Sequence, residues 1–241
     1  MLIAKSEQEA PLETPETANT CRRRRVLIVD DHPMIRQGLR RVMDNEGDLI
    51  VCGEAESVRD ARAAINHSSP DVVIVDISLK QGDGMELVRE IRAHHPQLPI
   101  LVLSMHDELI YAERMLSAGA NGYIMKQAAS DQFLVAIRRV LEGGIYVSES
   151  VGTNLIQKFA TRGAGVSVNP VDRVSNREIQ ILHMIGKGMS TREIALSLNL
   201  SIKTVESHRQ RIKRKLNLST GTQLVQYAVK WYGLRARDGL D

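Results

Sequence analysis

The sequence predicts a five-stranded parallel α/β domain with helices on both faces of its sheet, followed by a small all-α domain of four helices. Three observations lead to this fold class. Short apolar runs alternate five times with amphipathic helical patterns, a segment with several glycines follows the fifth repeat, and only helical patterns occur beyond it. The chain has 241 residues, of which 43% are hydrophobic and 25% are charged. These values are typical of globular proteins, and the length suits two modest domains.

The first domain is predicted from apolar runs that are continuous, as in parallel strands buried on both faces. Helical patterns of about three turns separate these runs, and Pro33 suits the first turn of the first helix. Five such units predict a doubly wound sheet. The predicted strands are Val26 to Val29, Leu49 to Cys52, Val72 to Val75, Ile100 to Leu103 and Gly122 to Met125. The predicted helices are Pro33 to Met43, Val58 to Ile65, Met85 to Ala93, Glu108 to Ala118 and Asp131 to Leu141.

The second domain is predicted from two helix-start signals. Ser175 and Ser190 are each followed three residues later by a glutamate, the arrangement of a capping box. Two further helices follow, from Ile202 to Leu216 and from Thr220 to Trp231. The preceding segment lacks a long period, although it could form one or two helical turns, and we interpret it as a linker. The predicted divisions are a disordered tail over 1–23, the α/β domain over 24–147, the linker over 148–172 and the helical domain over 173–237.

Charge separates the two predicted domains, although the net charge of the chain is only +3. Residues 26–147 carry 12 basic and 18 acidic side chains, for a net charge of −6, whereas residues 173–241 carry 13 basic and 5 acidic side chains, for a net charge of +8. An acidic first domain indicates cation or phosphate chemistry. A basic second domain indicates a polyanionic partner.

Several protein classes are excluded by composition. The longest apolar runs are strand-sized, whereas a bilayer-spanning helix needs about 18 or more apolar residues. The apolar start of the chain, Met1 to Ala4, is too short for a signal peptide. The two cysteines, Cys21 and Cys52, form neither a disulfide framework nor a metal cluster. We therefore expect a cytoplasmic protein with no membrane partner and with both cysteines reduced.

Polar side chains follow four of the five predicted strands. Asp30 and Asp31 follow the first, Asp76 the third, Ser104 the fourth and Lys126 the fifth. Ligands of parallel sheets bind outside the carboxyl ends of the strands, so these side chains are expected to share one cleft. Mg²⁺ prefers oxygen ligands and can bridge carboxylates and a phosphoryl oxygen. The pattern therefore predicts phosphoryl chemistry with Asp76 as nucleophile and Lys126 as a neutralising cation.

This constellation resembles the receiver domain of two-component response regulators. The resemblance covers about residues 24–147 and rests on Val26 to Pro33, Val72 to Asp76 with Asp83-Gly84 downstream, Ser104, and Gly122 to Lys126. It implies a flavodoxin-like fold in which Asp76 is phosphorylated by a histidine kinase. It also implies Mg²⁺ bound by Asp30, Asp31, Asp76 and the backbone carbonyl of Ser78, with Ser104 and Lys126 on the phosphoryl group and Ser104 and Tyr123 as switch residues. Lys80 and Gln127 stand where many receivers have prolines.

These residues also allow three alternative roles. Phosphatases of the haloacid-dehalogenase type also use an aspartate at a strand end, but they have a second aspartate two residues later, where this chain has Ser78. A P-loop nucleotide hydrolase is excluded because the Gly-x-x-x-x-Gly-Lys-Ser/Thr motif does not occur. His32 could act as a base, but a carboxylate nucleophile needs none, and we interpret it as a surface or packing residue. A turnover enzyme is therefore not expected.

The helix from Ile202 to Leu216 has an apolar stripe on one side and polar, mostly basic residues on the other. It follows a short helix and a tight turn, which is typical of a helix-turn-helix. His208 lies on the apolar stripe and is expected to pack. The candidate DNA-binding residues divide into possible base contacts, Glu206, Ser207 and Gln210, and phosphate contacts, Lys203, Thr204, Arg209, Arg211, Lys213 and Arg214.

The helical domain resembles the LuxR-type DNA-binding domain over about residues 173–235. The resemblance rests on Val174 to Glu178, Gly186 to Ala195, Leu200 to His208 and Ile212 to Leu216. With the receiver, the chain resembles a response regulator of the NarL/FixJ type. This implies that phosphorylation of Asp76 by a sensor histidine kinase favours a homodimer that binds double-stranded DNA and regulates transcription. The alternative is a regulator that works without phosphorylation, through a protein partner.

Overall fold

The computed structural model describes residues 22–80, 82–161 and 170–237. The tail predicted over residues 1–23 lies outside these ranges except for Arg22 and Arg23, and Cys21 lies outside them too. Cys52 is a free cysteine. Within the described ranges, no helix combines the length and the apolar character that crossing a bilayer requires.

The first domain contains a parallel sheet of five strands in the spatial order β2-β1-β3-β4-β5. This is the flavodoxin-like order, and the predicted fold class is confirmed. Val29 in β1 aligns with Val75 in β3, so these two strands end side by side, and Val75 aligns with Val102 in β4, which continues for two more residues. The strands are β1 Arg24–Val29, β2 Leu49–Ala55, β3 Val72–Val75, β4 Ile100–Ser104 and β5 Gly122–Met125.

Five helices cover the two faces of the sheet. The first and the fifth pack on one face, where Met43 and Phe133 are buried, and the other three pack on the opposite face. The central strand β3 is buried along its whole length, as its continuous apolar run predicts. The helices are α1 Pro33–Asp44, α2 Val58–Ser68, α3 Gly84–His94, α4 Glu108–Ala118 and α5 Ser130–Leu141.

The start of α3 is held close to the end of β3. The Asp83 carboxylate caps the helix by accepting a hydrogen bond from the Met85 N–H. A Cβ atom at Gly84 would lie 2.5 Å from the carbonyl oxygen of Asp76. Since any larger residue would push the helix away from the strand end, the glycine permits the close approach.

The segment between the two domains contains a helix, α6 Glu149–Thr161, and a short 3₁₀ turn, Pro170–Arg173. The hydroxyls of Ser148 and Ser150 donate hydrogen bonds to Glu108 Oε1 at the start of α4, at 2.5 and 3.0 Å. Val151 is buried, and α6 packs along α4. This part of the predicted linker is therefore attached to the first domain.

The second domain consists of four helices, α7 Asn176–Gly186, α8 Thr191–Ser197, α9 Ile202–Lys215 and α10 Gly221–Arg237. Both predicted capping boxes are present, at the starts of α7 and α8. The turn after α7 uses Gly188, whose φ is +83°, a conformation that favours glycine. Apolar residues of all four helices form the core, among them Ile179, Leu182, Ile194, Val205, Ile212, Leu224 and Trp231.

Candidate functional site

Three carboxylates meet where β1 and β3 end. Asp30 and Asp31 directly follow β1, Asp76 directly follows β3, and all three are buried. Ligand atoms from these residues and from His32 lie within 4.8 Å of one another. The strand register thus brings together the acids that the sequence placed at two separate strand ends.

Lys126, which follows β5, supplies the buried cation of this cluster. Its Nζ lies 2.5 Å from Asp30 Oδ2 and 2.8 Å from Asp76 Oδ2, and its side chain is only 4% exposed. Burial alone would lower the pKa of Lys126, but the charges and hydrogen bonds of Asp76 and Asp30 outweigh it and raise the pKa. Lys126 is therefore a permanent positive charge between two carboxylates.

The environment of Asp76 differs between its two oxygens. Oδ2 contacts Lys126, and Oδ1 accepts a hydrogen bond from the Ser78 N–H at 3.0 Å. Burial raises the pKa of Asp76 above its ordinary value, although Lys126 and the Ser78 N–H offset part of the effect. Because Asp76 is already desolvated, little hydration is lost when one of its oxygens reacts.

The carboxylates also fit a divalent cation. Asp30 Oδ2 lies 2.5 Å from Lys126 Nζ, and Asp31 Oδ1 lies 2.8 Å from His32 Nδ1. Three buried carboxylates therefore share one buried lysine, and a divalent cation would balance more of their negative charge. Hard oxygen donors of this kind are the ligands that Mg²⁺ prefers. The exposed Lys80 Nζ lies 3.5 Å from Asp31 Oδ2, at the outer edge of the cluster.

The two predicted switch residues both bind the backbone of His106, in the loop that connects β4 to α4. The Ser104 hydroxyl accepts a hydrogen bond from the His106 N–H at 3.1 Å. The hydroxyl of the buried Tyr123 donates a hydrogen bond to the His106 carbonyl at 2.8 Å. Burial raises the pKa of Tyr123, so its hydroxyl remains a donor. A change at either residue would therefore act on the same loop.

The His106 side chain links the two domains. Its Nε2 lies 2.6 Å from Ser78 Oγ and 2.6 Å from the Gln180 side-chain nitrogen in α7. The Gln180 oxygen accepts a hydrogen bond from Arg177, so the Gln180 nitrogen is the donor and His106 Nε2 the acceptor. Burial, followed by the nearby charges of Arg177 and Lys126, lowers the pKa of His106 to about 4, in agreement with a neutral ring.

The second domain presents α9 as its basic surface. Val205 and Ile212 anchor the helix in the core, and the predicted DNA-binding residues lie on its other sides. Arg209, Thr204 and Lys213 are partly buried, and His208 is partly buried on the apolar stripe, where burial lowers its pKa. The remaining predicted DNA-binding residues are exposed: Lys203, Glu206, Ser207, Gln210, Arg211 and Arg214.

One ion pair fixes α9 against α7. Lys215 Nζ lies 2.6 Å from Glu178 Oε2, and the same oxygen accepts a hydrogen bond from the Ser175 N–H. Burial alone would raise the pKa of Glu178, but the bonds from Lys215 and Ser175 outweigh it and lower the pKa. Arg177 similarly ties α7 to α8 by donating to the Leu198 carbonyl. These bonds set the orientation of the basic helix.

The structure adds His32, His106 and Gln180 to the surroundings of the site. His32 is half exposed, as expected of a surface residue, yet its ring contacts Asp30 and Asp31. Gln180 carried no signal in the sequence, because it matters through its contact with His106 in the other domain. The signal for His106 was its position, two residues beyond the end of β4 at Ser104.

Comparisons with known proteins agree with the two-domain organisation. The family of response regulator receiver domains matches residues 26–138, and the luxR family of bacterial regulatory proteins matches residues 172–228. The oxygen regulatory protein NreC of Staphylococcus epidermidis is 35% identical over 211 residues, which are 86% of this chain and 97% of NreC. NreC of Staphylococcus haemolyticus is 36% identical over 210 residues, with the same coverage.

Two solved structures of response regulators are also similar to this chain. A LuxR-family response regulator from Aurantimonas is 29% identical, with a TM-score of 0.54, and matches 57% of this chain and 99% of its own. RcsB from Salmonella enterica serovar Typhimurium, bound to the rprA promoter with phosphomimetic BeF₃⁻, is 29% identical with a TM-score of 0.54 over 86% of this chain and 98% of its own. The chain therefore belongs to the DNA-binding response regulators of two-component systems, which join a receiver domain to a LuxR-type helix-turn-helix domain.

Proposed function

We propose that Asp76 accepts a phosphoryl group from the phosphohistidine of a sensor histidine kinase, and that this modification controls DNA binding by a homodimer. The observation that carries the proposal is the buried Lys126 ammonium, which contacts both Asp30 and Asp76 at the acidic edge of the sheet. Receiver domains generally bind Mg²⁺ at such an acidic site. Asp30, Asp31, Asp76 and the Ser78 carbonyl would hold it here.

The transfer needs few protein groups. An Asp76 carboxylate oxygen attacks phosphorus, the bond from phosphorus to the kinase histidine breaks, and the histidine nitrogen keeps the electron pair. Bound Mg²⁺ would supply positive charge beside the phosphoryl oxygens. Lys126 would neutralise further charge on the phosphoryl oxygens and remain protonated. The Ser104 hydroxyl would donate a hydrogen bond to a phosphoryl oxygen.

The signal would leave the site through the loop that contains His106. When Ser104 turns toward the phosphoryl group, its bond to the His106 N–H is lost. Tyr123, which binds the carbonyl of the same residue, is then free to follow. Phosphorylation changes the charge at Asp76 from −1 to about −1.5 to −2 and adds three acceptor oxygens in a buried site, so a rearrangement of this loop is expected.

The second domain would bind DNA through α9 in the major groove. The exposed Glu206, Ser207 and Gln210 can contact base edges, whereas the basic residues around them can contact phosphates. The phosphate contacts are assigned to Lys203, Thr204, Arg209, Arg211, Lys213 and Arg214. A structure of two RcsB dimers bound to two parallel DNAs and a structure of RcsB bound to promoter DNA support DNA binding by a dimer. A DNA partner would place the activity in the cytoplasm.

The experiment that tests this control measures DNA affinity with and without phosphorylation. Duplexes selected from a random pool would be titrated with the full chain, before and after treatment with phosphoramidate and Mg²⁺. Affinity should rise for the wild type and remain unchanged for Asp76→Ala. A rise of equal size in Asp76→Ala would show that phosphorylation of Asp76 is not the control.

A further inference from the structure

The second domain lies over the opening of the phosphoacceptor site. Gln180, in the second turn of α7, binds His106, whose ring also contacts Ser78 two residues beyond Asp76. At the start of the same helix, the Asn176 side chain donates to Asp83 Oδ1 at 3.1 Å. Both contacts lie on loops that border the acidic cluster. One face of α7 therefore packs against the loops that follow β3 and β4.

A cavity of about 500 Å³ remains between the two domains at this place. Asp31, Ser78 and Lys80 line it from the receiver, and Arg177 and Leu198 line it from the second domain. Its floor is thus the outer edge of the acidic cluster, and its roof is formed by α7 and by the residues after α8. A phosphodonor that approaches Asp31 and Asp76 from this side meets the roof first.

A second set of contacts holds the roof in place. Arg114 of α4 donates hydrogen bonds to the carbonyls of Val171 and Val174, at 2.9 and 2.5 Å, immediately before α7. Apolar residues continue from α4 into the second domain: Tyr111, Val174 and Ile179 belong to one buried cluster. The docking therefore has an apolar part as well as the side-chain hydrogen bonds of Arg114, Asn176 and Gln180.

The docking leaves the basic helix uncovered. Lys203, Gln210 and Arg214 of α9 are exposed in the docked structure, although α7 of the same domain is packed against the receiver. The exposed Val225 and Val229 show that part of α10 is uncovered too. Docking thus covers the phosphoacceptor side of the molecule more than it covers the DNA-binding side.

We propose that the DNA-binding domain is a lid on the phosphoacceptor pocket, and that its docking limits access to Asp76 without covering the helix that reads DNA. The inference rests on the proposed phosphorylation of Asp76. It reverses the simplest form of domain inhibition, in which the receiver would cover the DNA-binding surface. Opening of the lid increases the rate at which Asp76 gains a phosphoryl group and also the rate at which water removes it.

The experiment compares phosphorylation rates of full-length variants by intact-protein mass, with phosphoramidate and Mg²⁺ as the probe. The double substitution Asn176→Ala with Gln180→Ala removes two lid contacts from the second domain, and Arg114→Ala removes two from the receiver. The matched control is Gln97→Ala, an exposed glutamine in the loop before β4, at the opposite edge of the sheet. Binding to a random-sequence duplex is measured for each protein at several salt concentrations.

The double variant and Arg114→Ala, here called the opened variants, should gain the phosphoryl group roughly 5-fold to 30-fold faster than the wild type. This range corresponds to the loss of about two hydrogen bonds. Gln97→Ala should match the wild type. The duplex affinity of Arg114→Ala should stay within about twofold of the wild-type value, because the DNA-binding face of α9 is already exposed in the docked structure. Retained duplex binding also shows that the second domain is folded.

Two results would overturn the lid. If both opened variants are labelled at the wild-type rate while they still bind the duplex, docking does not limit access. If duplex affinity rises in both as much as the labelling rate, the receiver covers the DNA-binding surface. Both results differ from a failure of the proposed function. In that case the wild type itself would gain no phosphoryl group that depends on Asp76.

Discussion

Lys126 Nζ lies 2.8 Å from Asp76 Oδ2, and it lies 2.5 Å from Asp30 on its other side. One buried cation thus neutralises part of a cluster that contains three carboxylates. The same three carboxylates are the proposed ligands of Mg²⁺. Lys126 and the metal therefore compete for the negative charge of this cluster, and this competition can be measured.

Substitution of Lys126 by alanine should strengthen Mg²⁺ binding. Removal of a positive charge next to the carboxylates leaves more negative charge for the metal, and a gain of about tenfold corresponds to roughly 1.4 kcal/mol. Calorimetric titration of the full chain with MgCl₂ checks this. Lys80→Ala, which removes an exposed lysine from the edge of the cluster, should have a smaller effect. Weaker binding in Lys126→Ala would mean that the lysine does not compete with the metal.

Mg²⁺ should stabilise the wild type against heat. A ligand that binds only the folded state at about ten times its dissociation constant adds roughly 1.4 kcal/mol to the free energy of unfolding. The melting temperature should therefore rise with MgCl₂ and fall again when EDTA is added. In Asp31→Asn the rise should be much smaller, because one carboxylate ligand is lost. An equal rise in both proteins would place the stabilising metal elsewhere.

Acid should weaken the second domain through Glu178. Its pKa is lowered in the folded state from an ordinary value of 4.5, so the stability that it contributes is present above about pH 4.5. That stability is lost as the pH falls through the lower, folded-state pKa. Glu178→Gln should cost about 1 to 2 kcal/mol at pH 7, an amount reduced because Lys215 is partly exposed, and little at pH 3. Urea unfolding of both proteins at the two pH values measures the difference.

Two substitutions in α9 should affect DNA binding differently. Arg214→Ala should weaken binding to all duplexes and reduce the slope of log affinity against log salt by about one, because one phosphate contact is lost. Gln210→Ala should relax the preference at one base pair, at a cost of about 1 to 3 kcal/mol on the preferred sequence. Arg59→Ala, an exposed arginine of α2, is the control for charge. If Arg214→Ala leaves the salt slope unchanged, Arg214 does not contact a phosphate.

Much of the fold could be predicted because strong local patterns and tertiary packing agree. The run Val72 to Val75 is apolar at every position, and it forms the buried central strand. The serine and glutamate pairs at Ser175 and Ser190 mark helix starts because their hydrogen bonds are local. Helix α6 was harder to predict, because its sequence contains Gly152 and its stability comes from packing on α4, a distant part of the chain.

The acidic site could be predicted for a similar reason. Parallel strands place their carboxyl ends together, so the positions of Asp30, Asp76 and Lys126 relative to the strands were sufficient. The contact between His106 and Gln180 could not be predicted in this way, since it depends on how two separate domains dock. Neither local pattern nor strand order determines that docking.

The most direct test of the central claim is the intact mass of the protein after incubation with phosphoramidate and Mg²⁺. The wild type should gain a single phosphoryl group, and the gain should disappear in Asp76→Ala and in the absence of metal. Peptide mapping should then place the group on Asp76. A wild type that gains no phosphoryl group, or a gain that persists in Asp76→Ala, would contradict the account and would favour a regulator that acts through a protein partner without phosphorylation.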